Sequence, residues 1–534
     1  MTLPNRVNAV EKDMANLSTY NQTNFFSSNV TLSHLLEPDD LCYVIKEEIG
    51  TKIKDSDFED MYKDGGRPPI SPRLLILVLL MQFLEGLSDR AAMRNLKFRL
   101  DWKIAFGLPV DFLSFHSSTL TYFRDRLITN SKATYAFDQI LAYLAEKGLI
   151  KQNGKQRIDS THIIAAVREL TRIELLHETI RLFCLDLELR KLQMSEAILA
   201  LHSKYTETIS TFRMTKDEKA KAILEAGLAM KVMRDWVESS LDAQLLGSAS
   251  FKILKTVFSQ NFIDQGIEAF PELIQIATGK DHICNPHDPD AEYGNKGKKG
   301  WLGYKLQVVE TAEGEQNFIT HMELENATNF DGDSVSGIIK ELESKGVSPS
   351  DLYSDTHYNT SANIESLAEN EIELKGPVAP VTKKKQEKDK GFAINIESQK
   401  VICPEGIESK HFHIDPSGRI KASFPKKDCL VCLRKEICQP QPRGKIYEQR
   451  PENKTLSDRR EKMLDPDYQK DLHRRNGIEG TLSGLVRGQK IRRLRYRSKA
   501  KGQLQTKMTG AAANVMRLHG LRQRQLRAKV LSAA

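Results

Sequence analysis

Apolar residues between positions 65 and 150 follow the spacing of short helices. The run "LLILVLLMQFL", residues 74–84, predicts a buried helix that is too short to cross a bilayer. Ser88 can cap the next helix, and Ser117 or Ser118 can cap the one that starts in "SSTLTYFRDRL". Short helices with tight turns and basic residues are typical of a helix-turn-helix-like DNA-binding module. Any small helical bundle gives the same pattern.

From residue 155 the pattern changes to the alternation of strands. "KQRIDSTHIIAAV", residues 155–167, predicts a first strand. About ninety residues rich in Leu, Glu, Lys and Ala follow, roughly 170–265, with helical spacing. This stretch predicts a helical insertion after the first strand.

Alternation returns in "WLGYKLQVVET", where Tyr304, Leu306 and Val308 predict one buried face. Lys305 and Gln307 fall on the opposite face. "NFITHMELENA" also alternates after a short turn, so the two segments predict a hairpin. A helix over 331–346 and short strands in "DLYSDTHY" and "LKGPVAPV" complete the pattern.

The element order is strand, insertion, strand, strand, helix, strand. It is the order of a ribonuclease H-like core, in which three antiparallel strands are followed by a fourth that lies parallel to the first. Asp159 on the first strand and Asp355 on the fourth would then be neighbours. A doubly wound sheet is the alternative topology, and the tight hairpin counts against it.

Charge is concentrated at the C-terminal end. The net charge is +8, but residues 471–534 carry 16 Lys and Arg against two acids, so the other 470 residues are net negative. This distribution predicts a polyanionic partner, and nucleic acid fits best. A solvated, partly disordered basic tail is the alternative.

The first thirty residues are polar and lack the pattern of a signal peptide. Seven cysteines, an odd number in a large chain, favour a reducing compartment over a disulfide framework. We therefore expect a cytoplasmic, nucleoid-associated protein with no membrane contact.

Three acids stand out as candidates for metal-dependent phosphodiester chemistry. Asp159 and Asp355 are brought together by the predicted topology, and Glu479 is the only carboxylate after Arg474 in the basic C-terminal region. Carboxylates that clamp two divalent ions can stabilise the attacking and leaving oxygens of a phosphoryl group. Taken singly, each aspartate is more commonly a cap or an ion-pair partner.

The motifs "RIDSTHI", "SDTHYN" and "HRRNGIEGTLSGLVRG" resemble the three acidic motifs of DDE transposases from bacterial insertion sequences, in particular the insertion sequence 1182 group. "DPDAEYGNKGKKGWLGYKLQVVET" is similar to the segment before the second strand of that group. Residues 66–127 resemble its N-terminal domain. The resemblance implies a mixed α/β fold with a ribonuclease H-like catalytic core, preceded by an all-α, helix-turn-helix-like domain.

The resemblance also implies the site. Asp159, Asp355 and Glu479 match the catalytic and metal-binding triad, which would hold two Mg²⁺ or Mn²⁺ ions. Arg475 matches a basic residue one helical turn before the glutamate. The residues expected to contact DNA are Arg475, Arg487, Arg492, Arg493, Arg495, Lys298, Lys299 and Lys305. For the lysines, an exposed basic loop followed by ordinary strand packing is the alternative interpretation.

The implied reaction is hydrolysis at transposon ends, which frees a 3′-hydroxyl, followed by attack of that hydroxyl on target DNA. Double-stranded DNA, as terminal inverted repeats and target, is the expected partner, bound by a homodimer or a larger assembly. Two alternatives stay open: a non-catalytic, domesticated DNA-binding protein and a ribonuclease H-like nuclease acting on RNA.

Four cysteines form a separate cluster. Cys403, Cys429, Cys432 and Cys438 can close a tetrahedral structural zinc site, and reduced thiols in a Lys-rich loop are the alternative. The predicted domains are a variable segment 1–64, a helical DNA-binding domain 65–150 and a catalytic domain 151–534. The catalytic domain carries the helical insertion, a Cys-rich insertion near 382–450 and a basic C-terminal tail.

Overall fold

The computed structural model describes residues 32–533, except 63–69, 208, 210, 212, 213, 241, 265, 267–270, 275–279, 298, 381–389, 417 and 450–453. The described chain is a mixed α/β protein in which one six-stranded sheet lies among helices. No helix of this described part is both long enough and apolar enough to cross a membrane.

The N-terminal part is helical, as its apolar spacing predicts. Ser88 caps its helix by accepting a hydrogen bond from the Ala91 N–H, which confirms that prediction. Ser117 occupies the N-cap position of its helix, but its hydroxyl caps no backbone N–H because its own backbone is already helical. The helices are α1 (Leu41–Val44), α2 (Pro72–Leu84), α3 (Asp89–Phe98), α4 (Leu100–Phe106), α5 (Ser118–Thr129) and α6 (Tyr135–Glu146), with single-turn helices at Leu32–Leu35, Ile45–Ile49 and Asp55–Met61.

The central sheet has the strand arrangement expected from the element order. The first strand pairs antiparallel with the long hairpin strand and parallel with the strand that follows the crossover helix. The hairpin is antiparallel, and a last short strand adds parallel to the edge. The strands are β1 (Gly154–Ile164), β4 (Glu292–Lys296), β5 (Lys299–Thr311), β6 (Ile319–Asn326), β7 (Pro349–Tyr353) and β8 (Glu373–Lys375); β2 (Phe262–Ile263) and β3 (Glu272–Leu273) form a separate small pair.

Three details differ from the sequence prediction. Strand β4 pairs with the first part of β5 and was not expected. Gln307, predicted on a polar face, is fully buried, and its amide is bound by Glu325, Asp331 and Tyr358. Strand β7 ends at Tyr353, so Asp355 lies in the turn after the strand and not within it.

Two helices flank strand β7 along the chain, and the first of them forms the crossover from β6. A single turn at Asp331–Ser334 leads into α12 (Val335–Ser344), which buries the predicted apolar stripe of Ile338, Ile339 and Leu342. Helix α13 (Ser361–Ala368) follows β7, with the Thr360 hydroxyl as its cap.

The helical insertion has its own apolar core, separate from the main one. Phe183, Met230 and Leu254 are among the residues fully buried there. Its elements are α7 (Arg172–Arg190), α8 (Glu196–Tyr205), α9 (Lys216–Ser240), α10 (Ala243–Leu246) and α11 (Ala249–Asn261), which confirms the predicted helical character of this stretch.

The Cys-rich insertion is a small β-rich unit with a third core. Strands β9 (Ala393–Asn395) and β10 (Lys400–Ile402) pair, and β11 (His411–Ile414), β12 (Ile420–Ser423) and β13 (Ile446–Gln449) form a second sheet. Two short helices, α14 (Lys426–Val431) and α15 (Lys435–Cys438), lie between β12 and β13.

The C-terminal region is helical and largely integrated into the main core. Helix α19 (Lys499–Ala533) packs against β6, α2 and α6, with Leu504, Met508, Val515 and Leu518 buried. The predicted basic tail is therefore a structural helix whose last buried residue is Leu521, and most residues after it are exposed. The elements here are α16 (Lys454–Lys462), α17 (Pro466–Leu472), a single turn at His473–Asn476, α18 (Gly477–Arg487) and α19 (Lys499–Ala533).

Candidate active site

Two aspartates follow equivalent positions on adjacent parallel strands. Arg157 of β1 pairs with Tyr353 of β7, and an aspartate follows two residues later in each segment, within β1 and in the turn after β7. Because the strands run parallel, Asp159 and Asp355 reach the same end of the sheet. Their charges also interact directly, since Asp355 is among the groups that raise the pKa of Asp159.

The Asp159 carboxylate is mostly removed from solvent, with 15% of its side chain exposed. Burial is the main reason that its pKa is raised above the ordinary value, and the negative charge of Asp355 adds to the effect. The Ser160 N–H, 2.7 Å from Oδ1, and the nearby Arg475 oppose this shift. A cation at this position would therefore stabilise the ionised carboxylate.

Asp355 is held by the turn that follows β7. The His357 N–H donates to its Oδ1 at 2.8 Å, and Asn359 donates from Nδ2 to its backbone carbonyl at 2.7 Å. The His357 imidazole is exposed, with Nδ1 3.6 Å from the second carboxylate oxygen. The turn thus fixes the carboxylate while one side remains accessible.

Glu479 lies in the first turn of α18. The preceding turn carries Arg475, whose Nη2 is 3.4 Å from Asp159 Oδ2. Glu479 follows Arg475 by four residues, so the two side chains are one turn apart on the same helix face. Its carboxylate is exposed, whereas Ile478 and Leu485 anchor the buried face of the helix.

A buried ion-pair cluster fastens this helix to the sheet. Arg157, two residues before Asp159, faces Glu310 across the β1–β5 pair, with Nη2 2.6 Å from Oε1. Its Nη1 donates to the Arg474 carbonyl at 2.7 Å. A Cβ on Gly477 would collide with this guanidinium, so glycine permits the close approach of the helix.

The second oxygen of Glu310 completes the cluster. Thr481 of α18 donates to Oε2 at 2.6 Å, and Arg517 of α19 donates to it at 2.8 Å. Glu310 is fully buried, so its charge is balanced only by these partners. Sequence reasoning missed the cluster. One sequence feature pointed to it: Arg157 lies two residues before Asp159, on the same face of the strand.

The ligand atoms of the three predicted acids do not all lie within 4.8 Å of one another. Among the described residues, the group that meets this distance is His321, Glu323 and Glu341. Lys507 and Lys345 also bind Glu341, at 2.9 and 2.5 Å. Burial alone would raise the pKa of Glu341, but His321 and the two lysines lower it strongly. The group is therefore an ion-pair network in which lysine side chains already balance the charge of Glu341, so it is not a candidate metal site.

The predicted DNA-binding residues separate into two sets. Arg492 donates to the Thr161 hydroxyl at 3.2 Å and to the backbone of β1, while Arg495 donates to the Leu87 carbonyl at 3.0 Å. Lys305 is largely buried against Asp331, 3.1 Å away. Arg492 and Lys305 are partly buried, and these bonds hold them against the fold. Arg487, Arg493, Arg495 and Lys299 are exposed, Arg475 reaches Asp159, and Lys298 lies outside the described residues.

Comparisons with known families match two parts of the chain. Residues 30–126 match a family described as Transposase domain (DUF772), and residues 402–519 match a family described as Transposase DDE domain. The second match contains Arg475 and Glu479, whereas Asp159 and Asp355 lie outside both. No curated protein and no solved structure matches the chain.

Proposed function

We propose that this chain, which belongs to the DDE transposases of insertion sequences, cuts the ends of its element and joins them to target DNA with Asp159, Asp355 and Glu479 as its catalytic acids. The proposed substrate is double-stranded DNA that carries terminal inverted repeats. Two observations support the proposal. The parallel pairing of β1 with β7 brings Asp159 and Asp355 to the same end of the sheet, and Arg475, one turn before Glu479, contacts Asp159.

The donor set fits a divalent metal ion such as Mg²⁺ or Mn²⁺. Carboxylate oxygens are hard ligands, and a pair of neighbouring carboxylates favours a cation between them. The raised pKa of Asp159 agrees with a site that lacks sufficient positive charge from the protein alone. Asp159, Asp355 and Glu479 would hold the ions, which when bound stabilise charge on the attacking and leaving oxygens.

The protein groups around the acids have distinct proposed roles. Arg475 partly neutralises Asp159 before metal and DNA arrive, across a 3.4 Å gap. Exposed Arg487, Arg493, Arg495 and Lys299 would bind DNA phosphates, which positions the scissile bond without reading its sequence. Arg492 and Lys305 are left out of this set because they are partly buried and bind protein groups.

The strand arrangement supports a ribonuclease H-like catalytic core within the chain. Three antiparallel strands and a fourth parallel to the first agree with that topology. The helices before β1 are the proposed DNA-binding module, of helix-turn-helix-like type, and recognition of inverted repeats would lie there. We further propose a homodimer or larger assembly on DNA, because two ends must be joined together.

The test is metal-dependent cleavage of DNA that carries the element's ends. Asp355→Asn should abolish cleavage in Mg²⁺ and Mn²⁺ while DNA binding remains. Asp458→Asn, an exposed acid on α16, is the matched control and should cleave normally. Full activity of Asp355→Asn would overturn the assignment. DNA binding without cleavage in the unmodified chain would favour a domesticated, non-catalytic protein, and preference for RNA would favour a ribonuclease.

A further inference from the structure

The Cys-rich insertion brings its four cysteines to one small pocket. Cys403 follows strand β10, Cys429 lies in α14, Cys432 comes directly after that helix, and Cys438 ends α15. All four line the same pocket and none forms a disulfide. Residues that are up to 35 positions apart thus converge on one point without a covalent link.

The backbone around this pocket already donates to two of the sulfurs. The Arg434 N–H lies 3.4 Å from Cys432 Sγ, and the Lys445 N–H lies 3.5 Å from Cys429 Sγ. Backbone N–H groups aimed at sulfur are the outer-shell contacts that orient thiolate ligands and offset their charge. A reduced, uncharged thiol gains much less from them, because it is a weak acceptor.

Charged side chains near the pocket have the sign that a thiolate site needs. Four thiolates around one Zn²⁺ carry a net charge of −2. Arg434 and Lys445 both line the pocket, and Lys445 is buried with Nζ 3.2 Å from the Cys438 carbonyl. These two cations match the excess negative charge of such a site.

The insertion also has too little apolar core to stabilise itself. Its fully packed residues are Val401, Ala422, Phe424 and Tyr447, with a few half-buried side chains around them. Units of this size usually depend on a disulfide or a metal ion for stability. The cysteines form no disulfide, and a bound metal ion would supply the missing stabilisation.

We propose that Cys403, Cys429, Cys432 and Cys438 bind one structural Zn²⁺ that holds the Cys-rich insertion together. This site is separate from the three carboxylates proposed to bind Mg²⁺. The four sulfurs close a tetrahedral site with no open position, so the ion would have no role in cleavage chemistry. No three of these sulfurs lie within 4.8 Å of one another, so zinc binding would draw them closer together.

The full-length chain, purified in reducing buffer and dialysed against metal-free buffer, should retain about one zinc ion per chain. Cys432→Ser should lose it, whereas Cys284→Ser and Asp355→Asn should keep it. The first control removes a cysteine outside the pocket, and the second tests whether zinc occupies the acids instead. Zinc retained by Cys432→Ser, or lost by Asp355→Asn, would overturn the proposal.

A second measurement does not depend on the folding of a variant. Replacement of zinc by Co²⁺ in the unmodified chain should produce thiolate-to-cobalt charge-transfer absorption and the intense visible bands of a tetrahedral site. Weak bands of an octahedral oxygen site, or no cobalt binding, would contradict the four-sulfur site. Because neither readout involves DNA, failure here leaves the transposase proposal untouched.

Discussion

The two sides of the candidate active site are built in opposite ways. Asp159 and Asp355 extend from adjacent strands, and backbone N–H groups of their own segments hold their carboxylates. Glu479 is exposed on a helix, and its position depends on how that helix docks. The docking rests on Glu310 and its arginine partners, buried behind the helix. Strand register thus places two acids, whereas a buried ion cluster places the third.

The largest expected effect follows from removing the third acid itself. Glu479→Gln should lower Mg²⁺-dependent cleavage by ~10³-fold or more, because an amide is a poor ligand for the ion that stabilises the transition state. Its melting temperature should not change, since the side chain is exposed. Glu461→Gln on α16 is the matched exposed control. A Glu479→Gln chain that cleaves at the normal rate would remove the third acid from the account.

Substitution of Arg157 tests how the Glu479 helix docks on the sheet, independently of DNA cleavage. Arg157→Met leaves Glu310 buried without its cross-strand partner, which should destabilise the docked helix by roughly 3–5 kcal/mol. Hydrogen exchange should show faster opening of residues 477–487, with β1 and β7 less affected. Arg157→Lys, which retains the charge, should show a smaller change. If exchange in 477–487 is unaltered in Arg157→Met, the cluster does not hold the helix.

A smaller effect is expected at the link between the two sides. Arg475→Gln removes a cation that competes with the metal ion for Asp159, so the affinity for Mn²⁺ without DNA should rise. A partly exposed ion pair contributes ~1 kcal/mol, which corresponds to an affinity about fivefold higher. Electron paramagnetic resonance of free Mn²⁺ measures this. Arg474→Gln, beside it and paired with Asp471, should leave the affinity unchanged. Weaker Mn²⁺ binding in Arg475→Gln would show that Arg475 supports the metal site.

The smallest effect concerns stability. Burial raises the pKa of Asp159, so the folded chain prefers the protonated acid, and that contribution to stability is lost as pH rises through the folded pKa. Asp159→Asn mimics the protonated form and should raise the melting temperature by ~1 °C at neutral pH without metal. The gain should disappear in acid, where both chains carry a neutral group. A loss of stability at neutral pH would mean that the Arg475 pair outweighs burial.

Much of the fold was predictable because strand and helix patterns depend on residues close together in the sequence. Alternation in the segment before Asp159 and in the 301–325 hairpin placed those strands, and the crossover helix implied the parallel return of β7. Asp159 and Asp355 could therefore be paired from sequence alone. The predicted strand "DLYSDTHY" was too long, because β7 ends at Tyr353 and the turn held by Asp355 follows it.

Contacts between distant residues were not predictable. Glu310 and Arg517 are separated by 207 positions, and no spacing rule brings them together. The burial of helix α19 was not predicted. Leu504, Met508 and Val515 form an apolar stripe, but the lysines and arginines around them suggested a solvated basic tail. The assignment of Glu479 rested on the resemblance, and it remains a proposal.

Iron-directed cleavage of the protein backbone would locate the metal ligands themselves. Fe²⁺ that replaces Mg²⁺ generates hydroxyl radicals with ascorbate and peroxide, and these cut the chain next to the metal ligands. A metal site built from three carboxylates should give three clusters of cuts, near Asp159, Asp355 and Glu479, all suppressed by excess Mg²⁺. Cuts near the two aspartates without cuts near Glu479 would contradict a three-carboxylate site.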